Sequence, residues 1–218
     1  MLRFFYGPMD CGKSTLALQI NHNHARQGRH GLLLTKLDRA GSARISSRVG
    51  LTATATEVGT GTDLHEVVRS EWRAGRRVDY LICDEVQFYA PEQVEQAADL
   101  ADRAGIDVYA FGLATDFRSE LFPGSRRLFE LADELIRLQV EVLCWCGRAG
   151  QQNARVVDGV VLRTGDQILV ADTDGPDTPS DVRYQVLCRR HYRDGDLGPA
   201  VASAGQLALG NGVKLQQP

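Results

Sequence analysis

Gly7-Pro8-Met9-Asp10-Cys11-Gly12-Lys13-Ser14-Thr15 follows directly on the apolar run Leu2-Arg3-Phe4-Phe5-Tyr6, and the stretch from Thr15 to Arg26 then reads as helix. Strand, glycine-rich loop and helix in that order are the context in which such a loop becomes a phosphate cradle. Gly7 and Gly12 allow backbone angles that a side chain would obstruct, and the freed N–H groups join the start of the helix in a concave anion site. Lys13 is placed to reach β- and γ-phosphates and Ser14 to ligate Mg²⁺. Pro8, Met9, Asp10, Cys11 and Thr15 complete the wall around a triphosphate. An ordinary glycine turn is the alternative, disfavoured because full pattern and context coincide. The chain has three lysines, Lys13, Lys36 and Lys214, among 25 basic residues. A lysine kept in an arginine-dominated chain points to a need for a compact ammonium.

Working outward, strand and helix signals alternate. His30 to Lys36 is a short apolar run suited to a buried parallel strand. Residues 37 to 60 carry Asp38, Arg39, Arg44, Ser47 and Arg48 without strong period, and read as a polar loop near the phosphates or a plain solvated loop. Thr62 signals a helix cap before Leu64, Val67, Val68 and Trp72 at helical spacing. Asp79 to Glu85 is the next strand, and Pro91 and Gly105 bracket a helix. Val108 to Leu113 is a strand, Arg126 to Ala132 a helix, and Ile136 to Val142 a further strand. The expected fold class is α/β with a mostly parallel sheet. From about Leu143 the pattern changes to a compact cysteine-flanked segment, with an Asp158-Gly159 turn between β-branched runs. The expected division is residues 1–142 for the nucleotide-binding layer, 143–195 for a smaller unit, and 196–218 for a disordered tail.

Composition bounds the possibilities. With 218 residues, 43% hydrophobic content and a formal charge of −3, the chain suits a soluble globular protein and lacks the basic footprint of a duplex nucleic-acid or anionic-membrane binder. No apolar stretch is long enough to span a bilayer, and no signal segment is expected ahead of the first strand. Five cysteines fit a reducing compartment better than a paired disulfide framework, so cytoplasm is the expected location.

Asp84 stands at the carboxyl end of an apolar strand, where a parallel sheet presents groups to a ligand crevice, and can hold Mg²⁺ directly or through water. Glu85 follows, and a carboxylate beside the metal can accept the proton an alcohol acceptor must lose. A water-activating glutamate of an ATPase, or a solvated strand end, are the other readings of the pair. Cys144, Cys146, Cys188 and His191 bring three thiols and an imidazole in two clusters, the preferred ligands of a closed tetrahedral Zn²⁺ site. Buried or reactive cysteines are the alternative there. Cys83 reads as core, and His22, His24, His30 and His65 show no ligand spacing. Phe88, Phe117, Phe122 and Tyr184 follow sheet strands or the polar segment 172–181, where flat rings suit a planar base or simply pack the core.

Together the N-terminal loop, Asp84-Glu85-Val86-Gln87-Phe88, Gly112-Leu113-Ala114-Thr115-Asp116-Phe117-Arg118 and the cysteine segment closely resemble the type II thymidine kinases over residues 2 to 192. The resemblance implies transfer of the γ-phosphoryl group of ATP to the 5′-hydroxyl of thymidine in nucleotide salvage, with Lys13 and loop amides on phosphate, Ser14 and Asp84 serving Mg²⁺, and Glu85 as base. It implies that Met9, Phe88, Leu113, Phe117, Phe122 and Tyr184 surround thymine. A lasso loop around 172 to 183 would hydrogen-bond the base through its backbone, and Asp38 and Arg39 would lie near the phosphates. A RecA-like core, a zinc-binding and lasso subdomain, a homotetramer and inhibition by thymidine triphosphate are further implications. The chain departs from the family in the one-residue spacing of Cys144 and Cys146, in His191 where cysteine is more frequent, and in Asp10-Cys11 within the loop.

Overall fold

The computed structural model describes residues 1–36, 43–167 and 182–199. Asp38 and Arg39, nearly all of the expected lasso, and the expected tail beyond residue 199 lie outside them. Six strands form the main sheet: β1 (Leu2–Tyr6), β2 (Gly31–Thr35), β5 (Thr56–Glu57), β6 (Tyr80–Cys83), β7 (Asp107–Gly112) and β8 (Glu134–Arg137). Their order is β5-β2-β6-β7-β1-β8, and every pairing is parallel. Parallel pairing needs a crossover after each strand. Four of the five are supplied by α1 (Lys13–Arg26), α2 (Leu64–Arg73), α3 (Pro91–Ala104) and α4 (Pro123–Leu131), while the connection from β2 to β5 carries no helix among the described residues.

Period-two alternation sends the strand residues to two cores. Leu2, Phe4, Leu81, Cys83, Val108 and Ala110 pack with Leu64, Val94 and Leu128 of α2, α3 and α4. Phe5, Tyr80, Ile82, Tyr109 and Phe111 face the other way and pack with Ala17 and Leu18 of α1. The α/β expectation therefore holds, with helices on both faces of a parallel sheet. Cys83 lies in the core as expected, 1% exposed, where burial pushes its thiol up to about 12.

Several expected boundaries move. The polar segment 37–60 is not plain loop: β3 (Arg44–Ser46) and β4 (Thr52–Thr54) form an antiparallel pair around the buried Ile45, and β5 joins the main sheet. Three-residue strands carry too little periodicity to stand out. Helix α2 is capped by Asp63, not Thr62: the Asp63 carboxylate accepts from the His65 and Glu66 N–H groups, while Thr62 Oγ1 accepts from Gly59 N–H. Helix α4 begins at Pro123, whose fixed φ suits a first helical position. Strand β8 runs 134–137, earlier than the expected 136–142, because its pairing to β1 sets Arg3 opposite Glu134 and Tyr6 opposite Arg137.

A second sheet of three antiparallel strands has the order β10-β9-β11: β9 (Gln152–Val157), β10 (Val160–Val161) and β11 (Val182–Leu187). The expected Asp158-Gly159 turn joins β9 to β10, both residues having positive φ (49° and 76°), as a tight hairpin requires. A short helix, α5 (Arg189–Asp194), follows β11. Ala154, Val156, Val161, Leu187 and Tyr192 pack with Cys144 and Cys188 in a third core.

Candidate functional site

The phosphate-cradle loop leaves β1 and turns into α1 through Gly12, whose φ of 80° lies in the left-handed region. A Cβ on Gly7 would stand 2.6 Å from Cys11 Sγ, so a side chain there would displace the buried Cys11 thiol. Lys13 Nζ donates to the carbonyls of Pro8 (2.8 Å) and Gly7 (3.5 Å), curling back over the loop. Asp10 also has positive φ (66°) and pairs with Arg48 at 2.6 Å. Met9 N–H donates to Asn153 Oδ1 (2.9 Å), joining the loop to β9 of the small sheet.

Asp84 stands one residue past β6, 4% exposed, and accepts from Ser14 Oγ at 3.1 Å and from the Glu85 N–H at 3.0 Å. That bond brings the first turn of α1 to the carboxyl end of β6 across the intervening β7. Burial, and then the neighbouring charge of Glu85, push the Asp84 carboxyl up to about 7 against those two hydrogen bonds and Lys13. A hydroxyl and a buried, cation-starved carboxylate facing one point form a donor set suited to a hard divalent ion.

Glu85 is not in a strand as expected. It adopts φ 54°, ψ 36°, a left-handed conformation that is unusual for a side-chain-bearing residue, and starts a 3₁₀ turn over Val86–Phe88. Its carboxylate accepts a short hydrogen bond from Gln87 Nε2, and Gln87 Oε1 accepts from the Leu113 N–H at 3.0 Å. Gln87 is 1% exposed, so the orientation of Glu85 is tied to the end of β7 through a buried amide. The end of β7 has no space to spare: a Cβ on Gly112 would stand 2.7 Å from Gln87 Oε1 and 2.8 Å from Val86 Cγ2.

The expected base-binding residues fall into two groups. Phe88 and Phe122 meet edge to face with centroids 5.5 Å apart, and Leu113 is held at the end of β7, its carbonyl accepting from Ser125 Oγ. Phe117 and Tyr184 meet through a residue not singled out from the sequence, Arg155, which lies 3.8 Å above the Phe117 ring and donates from Nε to Tyr184 Oη at 2.9 Å. Met9 reaches the small sheet through its backbone bond to Asn153. The only sequence signal for Arg155 is a charge directly ahead of the β-branched pair Val156-Val157. Asn153 and Gln87 gave none.

Cys144, Cys146, Cys188 and His191 converge, their ligand atoms all within 4.8 Å of one another. The one-residue spacing is accommodated by a tight turn, in which Gly147 N–H donates to the Cys144 carbonyl and Cys144 N–H to Arg148 O. Trp145, between the two thiols in sequence, stacks on the His191 ring with centroids 4.3 Å apart and 11° between the planes. The residues present fit a tetrahedral metal ion: three sulfurs and one imidazole nitrogen at a mutually compatible separation. The other histidines take no part in the cluster.

Sequence comparison is consistent with this geometry. The profile of the family described as thymidine kinase matches residues 1–192. A thymidine kinase of Streptomyces coelicolor is 54% identical over 192 residues, covering 88% of each chain. One from Streptomyces avermitilis is 52% identical with the same coverage, and one from Cutibacterium acnes is 51% identical over 197 residues, 90% of each chain.

Proposed function

The chain belongs to the thymidine kinase family, and from that premise we propose a division of labour among its own residues. It is an ATP-dependent nucleoside kinase that transfers the γ-phosphoryl group to the 5′-hydroxyl of thymidine, giving thymidine monophosphate. The observation that carries the residue assignment is the Ser14 to Asp84 hydrogen bond, with Glu85 held beside it in a strained turn.

In this reading Lys13 leaves the carbonyls of Gly7 and Pro8 for the triphosphate, and loop amides between Asp10 and Thr15 hold its oxygens, Pro8 having no N–H and that of Met9 being given to Asn153. Mg²⁺ bound with ATP supplies the charge that offsets what develops on the transferring phosphoryl group. Ser14 and Asp84 would hold it. Glu85 accepts the proton of the 5′-hydroxyl, and Gln87 keeps its carboxylate aimed at that hydroxyl. Met9, Phe88, Leu113, Phe117, Phe122 and Tyr184 supply the flat apolar walls for thymine. The Cys144, Cys146, Cys188 and His191 cluster would hold Zn²⁺ as a structural ion, its donor set being the preferred one for that metal. A RecA-like core over residues 1–142, a zinc-binding and lasso unit over 143–195, a homotetramer, feedback by thymidine triphosphate and a cytoplasmic location are parts of the same proposal. Family membership supports them. Among the described residues no helix is long and apolar enough to cross a membrane.

Replacing Glu85 by Gln is expected to abolish thymidine phosphorylation, by about 10²-fold or more, while MgATP binding measured by calorimetry stays within about twofold. Wild-type turnover in that variant would remove Glu85 as the base. Failure of thymidine to stimulate ADP release by the wild-type enzyme would remove the acceptor assignment itself.

A further inference from the structure

Arg155 is among the largest fully buried side chains, 1% exposed, in the middle of β9. Burying a guanidinium is costly unless its donors are satisfied. Among the described residues no carboxylate forms an ion pair with it; its donors go instead to three oxygens on two different segments. Nε donates to Tyr184 Oη (2.9 Å) in β11, and the terminal nitrogens donate to the carbonyls of Asp166 (2.8 Å) and Gln167 (3.2 Å). Its flat face covers the Phe117 ring at 3.8 Å. Gln167 in turn donates to Asp116 Oδ2 at 3.1 Å, and the Asp116 carboxylate accepts from the Arg118 and Glu120 N–H groups, which folds the loop carrying Phe117.

These contacts share a logic that simple packing does not explain. An apolar side chain of similar volume would fill the space more cheaply, but only a planar fork can reach a phenol, two carbonyls and a ring face together. We propose that Arg155 is a positioning residue for the nucleoside pocket. It fixes the Phe117 plane, the Tyr184 hydroxyl and the Asp166–Gln167 stem as one unit, and thereby sets affinity for thymidine without taking part in phosphoryl transfer. The proposal rests on the reading above that Phe117 and Tyr184 border the acceptor.

The test compares wild-type enzyme with Arg155→Lys, which keeps the charge and loses the fork, and with Tyr184→Phe alone and combined. Arg155→Lys is expected to raise the KM for thymidine roughly 10- to 100-fold, the range of a lost charged hydrogen-bond set. The KM for ATP should stay within about twofold, and bound metal should remain stoichiometric. On the Tyr184→Phe background the same substitution should cost less, since part of its action has already gone. An unchanged thymidine KM in folded, metal-loaded Arg155→Lys would overturn the proposal, as would parallel loss of both KM values and kcat, or full additivity with Tyr184→Phe. A wild-type enzyme inert to thymidine would instead fail the functional reading, so the two failures are separable. Should Arg155→Lys not fold, Arg155→Gln and the Tyr184→Phe thymidine KM, expected to rise with the ATP KM unmoved, decide between positioning and plain packing.

Discussion

Asp84 is a buried carboxylate, and among the described residues the cation that acts on it is Lys13, whose amine is turned to the loop carbonyls. Its pKa of about 7 in the folded, ligand-free protein stands above the ordinary 3.8. The folded state therefore binds more protons than the unfolded chain between about pH 4 and 7, and the stability contributed by this group is lost as pH rises through that window. On the proposal that Asp84 holds Mg²⁺, the ion demands the ionised form, so MgATP binding expels progressively more of a proton as pH falls through 7. MgATP is expected to bind about tenfold more weakly at pH 6 than at pH 8, with proton release at pH 6. Titration calorimetry in buffers of different ionisation enthalpy measures both; equal affinity and no proton release would contradict the assignment. At this scale Lys13, Ser14 and Asp84 stand out in the sequence because phosphate and metal chemistry demand those residue types at set offsets, and the structure brings the Ser14 hydroxyl to the Asp84 carboxylate. The left-handed turn at Glu85 was not, since nothing local to Asp84-Glu85-Val86 signals it; Gln87 and the end of β7 impose it from a distance.

Among the elements, those with long unbroken period were read closely: β1 and α3 agree with their sequence signals, and the Pro91 and Gly105 boundaries hold. The segment between β2 and α2 was not, because β3, β4 and β5 are two or three residues each and owe their form to pairing partners. Strand β11 was missed as well; its residues from Val182 to Tyr184 are only half buried and polar by turns, and the strand exists because all six positions pair with β9. The α2 cap is the simplest element-scale test. Asp63→Ala removes the acceptor for two N–H groups of the first turn and is expected to cost about 1 kcal/mol. For a chain of this size that lowers Tm by roughly 2–4 °C, readable by circular dichroism, whereas Thr62→Ala, which spares the cap, should cost less; the reverse order would refute the cap assignment.

At the scale of the whole molecule, the small sheet is stitched to the main one by a few long-range polar bonds. Asn153 of β9 accepts from the Met9 N–H and Tyr192 Oη donates to the Phe117 carbonyl at 2.6 Å, so the loops after β1 and β7 both lean on the unit whose core includes Cys144 and Cys188. The ligand cluster was legible from residue types alone. Its closure with one-residue spacing was not, because the tight turn through Gly147 depends on backbone geometry. Trp145 offers a direct view of that closure. Of the two tryptophans, Trp72 sits 45% exposed on α2, while Trp145 lies flat on the His191 ring with its indole N–H on the Asp196 carbonyl. In a Trp72→Phe enzyme all indole emission would come from the ring stacked on His191, the proposed metal ligand. Chelation should then shift its intensity and wavelength in step with metal release and with a fall in Tm, and silence of that signal while metal leaves would show that His191 is not a ligand. On the proposal that the cluster holds a metal ion, the chain carries a built-in optical gauge of it, able to report in real time, without dye or label, what fraction of the preparation is loaded.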